Sequence, residues 1–294
     1  MKGVIKMILK VILVVSILVI LFSILKNKKV YEQFIKKYKE DITLPIMAPF
    51  AFSLIDKLNL YKRMPKVISS IHQKMIILKG SKLSGDHTKV YLAKIITFNT
   101  LFAFFTCAIV IIDNQPYKNL LVGLFLIVIV SFFLVKDLDT KVKKRKDSII
   151  IELPEFVNKV ILLVNAGETA QGAIKKCVEQ KQKDIYDSPL YYELNESVNK
   201  LSANSSFPNV MKDLNYRCGI QEVSIFTTTI MMNYRKGGAL LVESLKELSV
   251  SLWDKRKTVT RIKGEEASSK LVFPIIFIFG AVLLIVIYPA IAVF

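Results

Sequence analysis

Near residue 270 of this chain a charged, helix-forming stretch passes without a linker into an uncharged apolar one, and few folds accommodate that junction. From Ala239 to Ser268 the apolar positions Leu241, Leu245, Leu248 and Leu252 fall on one helical stripe. From Leu271 to Phe294 no charged residue occurs. At about 1.5 Å per residue, that run is long enough to cross a hydrocarbon core of roughly 30 Å. One half of such a helix belongs to water and the other to lipid, so a push or twist on the soluble half is felt in the membrane.

Three further apolar runs point the same way. Met7 to Leu25 is interrupted only by Lys10, which can snorkel to an interface. Lys26-Asn27-Lys28-Lys29 follows at once and no small-residue cleavage pattern is present, so an uncleaved anchor is expected rather than a signal peptide. Ile95 to Ile112 carries no charge. Leu120 to Val135 is short for a span, but Lys118 and Lys136 flank it and can reach the interfaces. The hydrophobic share of 52% and the mean hydropathy of +0.43 are too high for an ordinary soluble enzyme.

Charge sets the expected orientation. The formal net charge is +18. Between Lys26 and Lys94 fifteen Lys or Arg stand against five Asp or Glu; between Lys136 and Lys270 the counts are twenty-three and eighteen. Basic loops stay in the cytoplasm. Four spans with both large segments inside therefore put the N-terminus, the Asp113–Lys118 hairpin and Phe294 outside. Lys143-Lys144-Arg145-Lys146 is the dense basic run; it lies just inside a span and has no interleaved aromatic residues, so no nucleic-acid partner is expected and attraction to anionic lipid is.

The domain order read from these features is an anchor at 1–25, a basic helical segment at 26–92, a hairpin of spans at 93–135, a helical bundle at 136–270 and a last span at 271–294. In the basic segment Pro45, Pro49 and Pro65 separate short helices, and Val67, Ile68, Ile71, Met75 and Leu78 recur at helical spacing. It has few large apolar positions, so it is expected to pack on the bundle or the membrane surface. In the bundle, Leu153, Phe156, Val157, Val160, Leu163 and Val164 form a first apolar face, ended by Ala166-Gly167. Glu152 and Glu155 are read as acidic residues favoured at that helix's N-terminus. Thr169 caps a second helix, Ser188-Pro189 opens a third and Ser206-Phe207-Pro208 a fourth, stopped by Gly219. A fifth runs from Ile220 to Lys236, ended by Gly237-Gly238, and the sixth enters the last span. The expected fold is an all-α membrane protein with about four transmembrane helices and a cytoplasmic antiparallel six-helix bundle.

No constellation for chemistry emerges. Lys79-Gly80-Ser81-Lys82-Leu83-Ser84-Gly85-Asp86 lacks the order of a phosphate loop and follows no strand. His72 and His87 have no third ligand at motif spacing, and Cys107, Cys177 and Cys218 form no CxxC pair. No catalytic residue, metal or cofactor is expected.

The order of features from about Leu153 to Phe294 resembles the type II secretion system F domain. The residues that carry the resemblance are Leu153-Pro154 at the start of the first bundle helix, Ala166-Gly167, Pro189-Leu190, Arg217, Gly237-Gly238, Leu245, Arg256, Glu266-Ala267, Lys270-Leu271-Val272-Phe273-Pro274 and Pro289. An anchor, a hairpin of spans and one such domain look most like the TadB/TadC-like inner-membrane platform proteins of Tad (type IVc) pilus assembly. The resemblance implies a non-enzymatic platform, a dimer with itself or a paralogous platform protein, sitting above a hexameric cytoplasmic secretion ATPase and passing its motion to pilin-like subunits. Candidate partner contacts are Arg217, Arg235 and Lys236; the candidate membrane-interface junction is Glu265, Glu266, Lys270 and Pro274. The alternatives are a sporulation-type relative built into a cell–cell channel, and a transporter or channel subunit with a regulatory bundle. Against the latter, the expected spans carry no buried Asp, Glu or His.

Overall fold

A computed structural model describes residues 2–80, 83–112, 116–234 and 238–292. Among these residues the chain is helical and has no strand. It divides into two compact units, 1–143 and 144–294.

Unit 1 contains α1 (Lys2–Lys37), α2 (Ala48–Lys57), α3 (Leu60–Arg63), α4 (Pro65–Lys79), α5 (Ser84–Ile112) and the first part of α6 (Pro116–Asn165). Proline opens α2 and α4 within their first two positions, where a missing N–H costs nothing. The basic segment, read as poor in large apolar positions, nonetheless supplies most of a core. Ala51, Phe52 and Ile55 of α2 are fully buried among Ile71 and Met75 of α4, Val90 and Tyr91 of α5 and Leu138 of α6. The missing apolar surface comes from soluble extensions of the apolar helices. α1 runs unbroken through Lys26–Lys29 to Lys37, so Tyr31 and Phe34 stack on Phe52 at 5.4 and 5.2 Å. Likewise α5 begins at Ser84, eleven residues before the uncharged run.

Among the described residues three helices are long and apolar enough to cross a membrane: Ser84–Ile111, Leu121–Asn165 and Ala239–Tyr288. The expected first span lies in α1 and is not one of them; most side chains of its first half fall outside the described residues, as do residues 113–115 of the expected outer hairpin. Between α5 and α6, Ser131 Oγ donates to Asn99 Oδ1 at 3.0 Å and Tyr91 Oη donates to the Leu134 carbonyl at 2.5 Å. Polar cross-links and small residues are what hold helices together in lipid, where apolar surface gains nothing by pairing. Gly123 is the small residue here: a Cβ at that position would overlap the Thr106 side chain. Gly123→Ala is therefore expected to cost about 1–3 kcal/mol by forcing the helices apart. Thermal unfolding in detergent measures this, and adding Thr106→Gly should recover most of the loss.

Unit 2 contains the end of α6 with α7 (Ala170–Gln180), α8 (Pro189–Ser202), α9 (Phe207–Cys218), α10 (Gln221–Asn233) and α11 (Gly238–Ala292). Their apolar faces close on one core, centred on Phe156, with Phe226 edge-on at 5.5 Å and Tyr191 at 6.2 Å. The local signals act as expected. Gly167, at φ +93°, lets Glu168 N–H reach the Leu163 carbonyl and its own N–H the Val164 carbonyl, closing the last turn of α6. Thr169 Oγ1 accepts from Gly172 N–H at 3.0 Å, and Ser188 Oγ accepts from Tyr191 N–H at 3.2 Å. Gly219, at φ +59°, ends α9.

One expected helix start is corrected. Leu153-Pro154 does not open a helix: α6 continues through Pro154 without a break. A buried proline costs an interior helix about 3 kcal/mol. Ile149, Leu153, Phe156 and Val157 are buried on both sides of it in one core, and that packing holds the two halves in line. Glu152 and Glu155 therefore do not serve a helix N-terminus. Glu152 accepts a hydrogen bond from Ser188 Oγ, the cap of α8, and Glu155 pairs with Lys159 at 3.0 Å. The expected end of the fifth helix at Arg235–Gly237 lies outside the described residues.

Candidate functional site

Two features of unit 2 concern function: a buried ionic cluster that orients its helices, and the passage of α11 from the core into its apolar half.

The cluster begins from residues on inward stripes. On α8, Glu193 and Ser197 lie among Leu190, Leu194 and Val198; on α9, Arg217 follows Val210 and Leu214. Glu193 is 1% exposed and Arg217 is 3% exposed, so neither charge is solvated. Arg217 Nε donates to Glu193 Oε2 at 2.6 Å, and Nη2 donates to the Glu193 carbonyl at 2.9 Å and to Ser197 Oγ at 2.8 Å. Its Nη1 faces Asp213, one turn earlier on α9. The other carboxylate oxygen of Glu193 accepts from Arg145 Nη2 of α6 at 2.7 Å. Three helices are thus pinned by one carboxylate between two guanidiniums. A buried pair left with one member missing is strongly unfavourable, so the cluster fixes which way these helices turn.

Arg217 is therefore not on the outer polar face where a partner would meet it. Arg235 and Lys236 fall outside the described residues. Arg145, read from the sequence as part of a basic run drawn to anionic lipid, turns inward to Glu193.

Burial pushes the Cys177 thiol up to about 11 and the Cys218 thiol up to about 12, which removes thiolate at neutral pH. Both are fully buried. Neither is expected to react with a maleimide in the folded protein, and both should react after denaturation in SDS; labelling counted by intact mass checks this. Among the described residues no group of three His, Cys, Asp or Glu could hold a metal ion.

The junction residues are all on α11. Among the described residues the last buried side chains of this helix are Leu252 and Val259, after which Glu265, Glu266 and Lys270 are exposed. Arg261 Nε pairs with Glu265 Oε1 at 2.9 Å along the helix. The exposed stem from Thr260 to Lys270 is about 16 Å long. Pro274 lies inside the helix and has no N–H to offer the Lys270 carbonyl, a vacancy that spans tolerate near their ends. Beyond it the helix is apolar on every side: Ile276, Phe277, Phe279 and Leu284 are each more than 60% exposed. A column of that kind is at rest only in lipid.

Residues 156–289, just under half of the chain, match the family described as type II secretion system (T2SS), protein F. No curated protein and no solved structure gives a match. The matched stretch covers most of unit 2 and runs through the junction into the apolar half of α11. A type II secretion system protein F domain is thus present, and together with the three apolar helices among the described residues it points to an inner-membrane protein.

Proposed function

We propose that this chain is a non-enzymatic platform subunit of a Tad-like pilus assembly machine, coupling a hexameric cytoplasmic secretion ATPase to the extraction of pilin-like subunits. In this reading α1, α5, the first part of α6 and the end of α11 are four spans. The basic segment and an antiparallel six-helix bundle face the cytoplasm, and the termini lie outside. The observation that carries it is the continuity of α11, a single helix of 55 residues from the core of unit 2 into an apolar column. A continuous helix passes on rotation and translation that a flexible linker would absorb. Arg235 and Lys236 carry the contact with the ATPase, and a second platform chain completes a dimer.

The test is co-purification of the cell's secretion ATPase with the tagged full chain from detergent-solubilised membranes. Arg235→Glu with Lys236→Glu should weaken that association severalfold while the protein stays in the membrane. Undiminished ATPase in the charge-reversed protein would move the contact elsewhere.

A further inference from the structure

Unit 1 holds a cavity of about 140 Å³ between α4, α5 and α6, with Leu78 and Leu138 among its apolar walls. One water occupies about 30 Å³ of liquid, so the cavity has room for a phosphate-sized group. Its polar lining is mostly basic: Lys79, Lys94 and Lys141, with His87 and Asp41. Asp41 is already committed, holding Lys79 Nζ at 3.1 Å and His87 Nδ1 at 3.3 Å. Lys141 Nζ pairs with Asp137 at 2.7 Å. Lys94 is half-buried and has no hydrogen-bond or ion-pair partner among the described residues.

The cavity also sits at a defined depth. Lys94 immediately precedes the uncharged run Ile95–Ile112, and Lys141 lies six residues past Val135, about 9 Å along its helix. These positions are those of headgroups on the basic side of a bilayer, where pockets of Lys and Arg between spans take up anionic lipid.

We propose that this cavity binds the headgroup phosphate of an anionic phospholipid, with Lys94 as its principal cation and Lys79 and Lys141 beside it. The positive excess of the lining excludes a zwitterionic headgroup, whose ammonium would meet the same lysines. The proposal rests on α5 and α6 crossing the membrane. A chain released from membranes by alkaline carbonate without detergent would fail that reading, whereas a chain that needs detergent but shows no lipid preference would fail the cavity alone.

Native mass spectrometry of the delipidated full chain, titrated with phosphatidylglycerol, phosphatidylcholine or inorganic phosphate, provides the test. Phosphatidylglycerol should bind and the other two should not compete with it. Lys94→Gln should weaken that binding at least about fivefold, the effect expected of one basic side chain at an anionic surface, and Lys94→Arg should keep it. Equal binding of phosphatidylglycerol and phosphatidylcholine to the wild-type chain overturns the proposal, as does competition by inorganic phosphate or undiminished binding to Lys94→Gln. The wild-type arms decide the matter even if a variant does not fold.

Discussion

Glu193→Ala is expected to destabilise unit 2 by about 3–5 kcal/mol, the cost of removing one partner from a buried ion pair. Arg217 keeps its bonds to the Glu193 carbonyl and Ser197, and Nη1 keeps Asp213, but the carboxylate that balances both Arg217 and Arg145 is gone. Against a typical domain stability of about 5–15 kcal/mol, that loss is large enough to unfold a substantial fraction of the protein. Trp253 of α11 is the single tryptophan of the chain, so its fluorescence during denaturant titration in detergent reports on unit 2 selectively. Glu193→Leu with Arg217→Met should cost less than the sum of the two single changes, because the double variant removes both buried charges of the pair. A cost below about 1 kcal/mol for Glu193→Ala, the range of exposed pairs, would show that the cluster is solvated and does not orient the helices.

Gly264→Pro should interrupt α11 within its exposed stem. Proline at this position has no N–H for the carbonyl four residues back, and its ring collides with that carbonyl; the local cost is about 3 kcal/mol. The core should survive, since no buried side chain of α11 lies beyond Val259 among the described residues. Hydrogen exchange should therefore accelerate between Thr260 and Lys270 while amides around Leu245 and Leu252 keep their protection. Gly264→Ala is the control: nothing stands within 4 Å of the added Cβ, and alanine favours an exposed helix interior over glycine by about 0.5–1 kcal/mol. The ATPase should co-purify equally with both variants, because both leave the bundle intact.

The helix ends of unit 2 were legible because capping is local chemistry. Thr169, Ser188 with Pro189, the Ala166-Gly167 pair and Gly219 each meet a donor or carbonyl within a few residues of their own position. The inward stripes of α7 and α11 were legible from periodicity, and Ala173, Ile174, Cys177, Leu241 and Leu245 are all buried. Pro154 misled because local propensity marks a helix start there, and only the core on both sides of it keeps the helix whole. The same holds for Glu152 and Glu155, whose partners follow from the continuity of α6. The basic segment looked too poor in apolar residues because Tyr31 and Phe34 on the continuation of α1, and Val90 and Tyr91 on the start of α5, follow no pattern of the short helices read there, and Leu138 joins their core from α6. The ionic cluster joins residues 24 and 48 positions apart, beyond any local pattern. A signal was nonetheless present: Glu193 and Arg217 occupy positions on apolar stripes, where an unpaired charge would be untenable.

Whether α11 carries motion of unit 2 into the membrane as one body is read most directly from the number of surface filaments on cells whose copy of this gene carries Gly264→Pro or Gly264→Ala. Gly264→Ala cells should carry wild-type filament numbers and Gly264→Pro cells almost none, with both proteins in the membrane and both retaining the ATPase. Filaments at wild-type number in Gly264→Pro cells, or their loss in Gly264→Ala cells, would contradict this, the first by showing that no continuous helix is needed and the second by showing that Gly264 must bend.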